Sequence, residues 1–76
     1  MNNSRRKRIS ESIRLLEDAQ EKLNKVLYDE KDALSKLPDD EEYDDMRDGM
    51  GDLIVELDDT ISSLEDALGT LNDADF

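Results

Sequence analysis

The chain has 76 residues, of which 42% are charged and 4% are aromatic, and its formal net charge is −12. A chain of this size forms one small domain whose core is only marginally stabilising. It contains no Cys and no His, which excludes disulfides and ordinary zinc sites. The polar start is unlike a signal peptide, and no apolar run approaches the ~20 residues of a membrane span, so we expect a cytoplasmic protein.

Charge is divided unevenly along the chain. Residues 1–14 carry five basic residues and one acid, whereas residues 15–76 carry five basic residues and twenty-one acids. From Asp39 to Phe76, Arg47 is the only basic residue beside fifteen acids. Such a segment repels nucleic acid and anionic membranes and attracts basic surfaces. The expected partners are therefore a second copy of the chain and a basic protein, including one that binds nucleic acid, and neither nucleic acid itself nor a membrane.

The chain opens with a short basic segment, and a helical pattern follows. The run RRKR at residues 5–8 has no aromatic residues between its charges, which favours a mobile basic arm over residues 1–7 rather than a specific nucleic-acid site. Over residues 8–37, apolar residues recur at alternating steps of four and three, which predicts a helix with one face toward a core. Its core positions are Ile9, Ile13, Leu16, Gln20, Leu23, Leu27, Glu30, Leu34 and Leu37.

A turn is predicted at residues 38–40. Pro38 disfavours helix at the residue before it and can itself open a new helix. Asp39 followed by Glu42 has the spacing of a capping pair, in which two side chains satisfy amides at a helix start. The chain is therefore expected to reverse direction here.

The same spacing predicts a second helix over residues 41–72, followed by a tail at residues 73–76. Its core positions are Tyr43, Arg47, Met50, Ile54, Leu57, Ile61, Leu64, Leu68 and Leu71. A neighbouring row widens the apolar stripe of each helix, as is typical of helices in bundles. This row comprises Ala19, Val26 and Ala33 in the first helix and Met46, Leu53, Thr60 and Ala67 in the second.

The predicted fold class is all-α, with residues 1–76 forming one antiparallel two-helix hairpin. One side of a widened stripe stays uncovered in a hairpin, so we expect dimerisation into a four-helix bundle. Antiparallel pairing places Glu30 beside Arg47, the one charged core position of each helix. This predicts a structural ion pair that fixes the register. The alternative is that both side chains reach solvent and contribute almost nothing.

Acidic residues recur in pairs about every seven residues along the second helix. With Ile54 and Ile61 at core positions a of the heptad, the acids fall mainly in the e and f rows, and successive pairs lie about 10 Å apart. Exposed carboxylates on a rigid rod can imitate a phosphate backbone and compete for Lys and Arg side chains. The alternative is a solvated face that keeps the protein soluble. The candidate partner-binding residues, named the acidic ridge below, are Asp44, Asp45, Asp52, Asp58, Asp59, Glu65 and Asp66.

The sequence does not combine the residue types that catalysis or a dedicated metal site requires. It lacks His and Cys, and no serine lies in a nucleophile motif and no glycine-rich loop could hold phosphate. An EF-hand loop placed on Gly49 would have Met46 and Val55 at two of its ligand positions. We therefore expect no enzymatic activity, no catalytic residues, no metal and no cofactor.

The segment Leu34–Leu68 resembles short acidic helical-hairpin proteins of unknown function from Gram-positive bacteria, their prophages and mobile elements. The similarity lies in the Leu37-Pro38 turn, the acids after it, Arg47, and the blocks LIVELDD and ISSLEDAL. Asp48 interrupts the Arg-Gly step of that pattern. The resemblance covers about half of the chain and implies a helical hairpin and a mobile-element context.

These observations favour a non-enzymatic acidic protein that engages a basic protein surface, as a DNA-mimic inhibitor or an antitoxin-like regulator. The alternative is a structural or assembly module whose acidic face only provides solubility. A third interpretation is a small protein adapted to high salt, since Asp outnumbers Glu by fourteen to eight.

Overall fold

The structure, a computed structural model, describes residues 3–74, and over this range it is built of helices without a strand. Helix α1 spans Asn3–Ser35, a short 3-10 helix spans Glu41–Tyr43, and helix α2 spans Asp44–Asp73. A helix as long as α1 measures about 50 Å, so two such helices end to end would far exceed the 60 Å length of the molecule. They instead pack side by side in a rod of 60 × 15 × 14 Å. The predicted all-α class is confirmed, and the two helices form an antiparallel hairpin.

The core of the hairpin follows the predicted spacing of four and three. Every predicted core position is buried or half-buried, and Gly51 is the only other described residue that is not exposed. The most deeply buried side chains, two from each helix, are Ile13, Leu27, Ile61 and Leu68, each 6–8% exposed. No side chain in the described range is completely buried. The core is therefore a thin seam of interlocking side chains, which agrees with the marginal stability expected for this size.

The widening row of the stripe remains exposed in a single chain. Val26, Met46 and Leu53 retain 48%, 55% and 41% of their accessible surface. Leu15, Tyr28 and Val55 are also exposed and lie outside this row. The two-helix layer thus covers two rows of each stripe and leaves the third open to solvent.

The basic segment differs from its prediction. Helix α1 begins at Asn3, so residues 3–7 are helical and do not form an arm separate from the helix. Arg and Lys are good helix formers, and the missing core contacts in this stretch do not prevent the helix from continuing. Met1 and Asn2 of the predicted arm lie outside the described residues, as do Asp75 and Phe76 of the predicted tail. Helix α2 extends through Asp73, where the tail was expected to begin.

The turn is longer than predicted, and its cap is a different residue. Helix α1 ends at Ser35, and the amides of Lys36 and Leu37 close its last turn on Ala33 and Leu34. Pro38 accounts for this early end because it disfavours helical backbone at the residue before it. The cap of the 3-10 helix is Asp40 rather than Asp39, and its side chain accepts a hydrogen bond from the amide of Glu42 at 3.3 Å.

Candidate acidic binding surface

The acidic ridge lies entirely on α2, and all seven of its side chains are exposed. The a and d rows of α2 pack against α1, so the f row faces away from α1 and the e row flanks the seam on one side. The first ridge acids also stand at the start of α2, where Asp44 and Asp45 meet the positive end of the helix dipole. Folding therefore positions the predicted residues together on one continuous surface.

Aspartates occupy every f position of α2, at Asp45, Asp52, Asp59, Asp66 and Asp73. Residues seven apart on an α-helix are nearly in line and about 10 Å apart. The e row beside this line adds the ridge acids Asp44, Asp58 and Glu65. The result is a row of regularly spaced carboxylates that runs along the whole of α2.

Six of the seven ridge carboxylates have no hydrogen-bond or ion-pair partner elsewhere in residues 3–74. Asp44 is the exception, because its Oδ1 accepts a bond of 2.9 Å from Arg47. Arg47 is the only basic residue of α2. The unpaired six, which remain available to cationic groups of another molecule, are Asp45, Asp52, Asp58, Asp59, Glu65 and Asp66.

The outer surface of α1 has a different character. Its acids alternate with lysines, and a shallow depression on this helix is lined by Asp18, Glu21, Lys22 and Lys25. At the end of α1, Lys36 forms an ion pair of 2.9 Å with Asp32. A second shallow depression, lined by Arg5, Arg8, Ile9 and Ser12, lies near the start of α1. Neither depression touches the acidic ridge.

Arg47 takes partners other than the predicted Glu30. Its Nη2 donates a hydrogen bond of 2.6 Å to the carbonyl oxygen of Pro38, while Nη1 binds Asp44. Helical side chains lean toward the N-terminus of their own helix. In an antiparallel hairpin this directs Arg47 toward the turn and Glu30 away from it. Arg47 thus ties the start of α2 to the turn, and both Arg47 and Glu30 are half-buried.

The Pro38 carbonyl and the Asp40 cap are the contributions that sequence reasoning missed. The carbonyl accepts bonds from the Asp40 amide and from Arg47. A signal was available for the carbonyl, because a turn residue has no helical partner for its backbone oxygen, which must then find another donor. The choice of Asp40 over Asp39 depends on the backbone path through the turn, and adjacent aspartates give no signal for it.

The described residues contain no group of three or more Asp or Glu side chains placed to hold a metal ion. Neither helix of the described range is long and apolar enough to cross a membrane. Comparisons with protein families, with curated proteins and with solved structures find no match to this chain.

Proposed function

We propose that this chain is a non-enzymatic binding protein whose acidic ridge engages a basic protein surface. The most specific form of the proposal is a partner that normally binds nucleic acid, so that the chain acts as a DNA-mimic inhibitor or an antitoxin-like regulator. The observation that supports it is the line of six exposed ridge carboxylates that have no partner within residues 3–74. We further propose a cytoplasmic bacterial or prophage setting, in keeping with the resemblance of residues 34–68.

The acid excess of α2 opposes the formation of the helix that carries it. Asp44, Asp48, Asp52 and Glu56 follow one another at intervals of four residues, which makes them neighbours on the helix surface. Like charges at this interval destabilise a helix by about 0.2–0.5 kcal/mol per pair. Solubility alone does not require this arrangement, because a surface of mixed signs also provides it. Binding to a cationic surface removes the repulsion and so gives the arrangement a use.

The second candidate is a structural module that assembles with itself into a four-helix bundle through a homodimer. The exposed apolar row that includes Val26, Met46 and Leu53 favours this candidate. The two functions are compatible, since the ridge and this row lie on different rows of α2. They differ in what the acids do, which is recognition in the first case and solvation in the second.

The test is an affinity capture from nuclease-treated bacterial lysate with two variants of equal charge change. The ridge variant carries Asp45→Asn, Asp52→Asn, Asp59→Asn and Asp66→Asn. The control carries four exposed substitutions on α1, namely Glu11→Gln, Asp18→Asn, Glu21→Gln and Asp29→Asn. The purified captured protein is then titrated with each variant, with and without short duplex DNA as competitor.

The proposal expects one basic protein to be captured, released by salt, and displaced by the duplex. The ridge variant should bind it at least about tenfold more weakly, a loss of about 1.4 kcal/mol, and the control variant should bind as the parent does. Equal weakening by both variants would contradict a specific ridge, because only net charge would then matter. Recovery of the chain alone would favour the assembly module.

A further inference from the structure

One long side of the hairpin carries no charge between its two ends. In antiparallel helices the g rows of both lie on the same side of the pair. Apart from Arg5 near the start of α1, these rows contain small or apolar residues, and all of them are exposed. We name this side the uncharged face, and it consists of Ser12, Ala19, Val26, Ala33, Met46, Leu53, Thr60 and Ala67. The e and f rows, which carry the acidic ridge, point away from it.

The chain exposes more surface than a compact protein of its mass. A folded monomer of 8.7 kDa typically exposes about 4,700 Å², whereas this chain exposes 5996 Å². A face as long and as wide as the rod offers on the order of 800 Å² for contact, which is what each partner buries in an interface of standard size. The uncharged face spans residues 12–33 and 46–67, about 32 Å of this length, so a dimer interface of standard size also includes the two ends of the same side.

The two ends of the rod differ in charge. The turn end, residues 36–48, has seven acids and two basic residues, whereas the open end, residues 3–14 and 63–74, has four acids and five basic residues. The five basic residues, all on α1, are Arg5, Arg6, Lys7, Arg8 and Arg14. Two rods side by side in the same direction would align two acidic turns. In opposite directions, the basic residues of α1 at each open end would meet an acidic turn, and complementary charge of this kind sets orientation.

We propose that the uncharged face is the contact surface for a second copy of the chain, held antiparallel about a two-fold axis that crosses the middle of the rod. The inference rests on the self-association in the second candidate function and adds its face and its direction. The resulting four-helix bundle leaves both acidic ridges on the outside. One assembly can therefore present two ridges to basic partners.

The depression near the start of α1 fits this arrangement. It has a volume of about 290 Å³ and is lined by Arg5, Arg8, Ile9 and Ser12. The two-fold axis stacks α1 on α1 and α2 on α2, so the depression faces the turn end of α1 in the second copy. Met46 of the second copy, which is 55% exposed, then lies over α2 near Ala67. The arginines beside the depression then lie close to the acids of the second copy's turn.

The face is tested by a matched pair of valines. Val26 lies on the uncharged face and Val55 lies off it, and they are 48% and 59% exposed. We expect Val26→Glu to raise the dimer dissociation constant at least about tenfold in sedimentation equilibrium, and Val55→Glu to leave it within about twofold. A monomeric parent chain or equal effects of both substitutions would overturn the proposal. Helicity of each variant, measured by circular dichroism, shows whether a change reflects unfolding instead.

The direction is tested by crosslinking, for which the absence of native cysteine is an advantage. Met46 and Ala67 face each other across this interface, so Ala67→Cys and Met46→Cys variants are mixed and oxidised, and each is also oxidised alone. The antiparallel dimer predicts a disulfide between the two different variants and little between two Met46→Cys chains. The reverse result would overturn the proposed direction. These experiments contain no basic partner, so their failure is distinguishable from a failure of the ridge to bind.

Discussion

Helices α1 and α2 are alike on the side where they meet and unlike on the side that faces solvent. Each contributes two of the four most buried side chains of the core. Over its whole length, α1 has eight basic residues and seven acids, whereas α2 has one basic residue and ten acids. One helix is nearly neutral and the other carries an excess of nine negative charges.

This difference shows which features of the two helices the hairpin needs in order to fold. Helix α1 buries the same pattern of apolar residues while mixing its charges, so the acid excess of α2 is not needed for a helix in this hairpin. Like charges at intervals of four residues act against α2. The difference between the two helices therefore supports the proposed role of the ridge in recognition.

The largest effect is expected in the shared core. Leu27→Ala in α1 and Leu68→Ala in α2 each remove a buried side chain, which costs about 2–4 kcal/mol of unfolding free energy. Leu15→Ala is the matched control, since this leucine is 69% exposed and its loss should cost at most about 0.5 kcal/mol. Urea titration, monitored by circular dichroism, measures the unfolding free energy of all three variants. If only one of the two core variants lost stability, the result would contradict a core that both helices stabilise equally.

A smaller effect is expected at Arg47, the one basic residue of α2. Arg47→Lys keeps the charge but replaces two donor nitrogens, one on Asp44 and one on the Pro38 carbonyl, with a single ammonium. We therefore expect a loss of about 1 kcal/mol of unfolding free energy. Glu30→Gln should change stability by less than about 0.5 kcal/mol because the structure gives Arg47 other partners. Thermal unfolding of both variants measures the difference. If Glu30→Gln lowered the stability as much as Arg47→Lys does, the result would favour the ion pair between Glu30 and Arg47 that the sequence predicts.

The sequence predicts the seam far better than it predicts the contacts at the turn. The seam follows from the period of the α-helix alone, and every position that the period selects is at least half-buried. The partner of Arg47 depends on the direction in which side chains lean. The prediction paired Arg47 with Glu30 because their backbones are level along the rod. Side chains lean toward the N-terminus of their own helix, so in antiparallel helices these two lean apart.

The ridge and the helix boundaries show the same limit. Exposure of the ridge acids could be predicted, because rows opposite a buried stripe face solvent. The start of α1 at Asn3 could not be predicted from that stripe, because residues 3–8 are helical without contributing to it. Helix propensity and the continuation of an existing helix decide such ends. What the ridge binds depends on another molecule, which periodicity does not describe.

The smallest effect concerns glycine, which α1 lacks and α2 contains at Gly49, Gly51 and Gly69. A Cβ added at Gly49 would meet no atom within 4 Å, so Gly49→Ala should stabilise α2 by about 0.4–1 kcal/mol. Hydrogen exchange of the parent chain should be faster in the first turns of α2 than in the part of α1 beside them, and Gly49→Ala should reduce this difference. If Gly49→Ala left the exchange rates unchanged, the lower stability of the first turns of α2 would come from like-charge repulsion instead. Added salt should then slow the exchange, because it screens the charges.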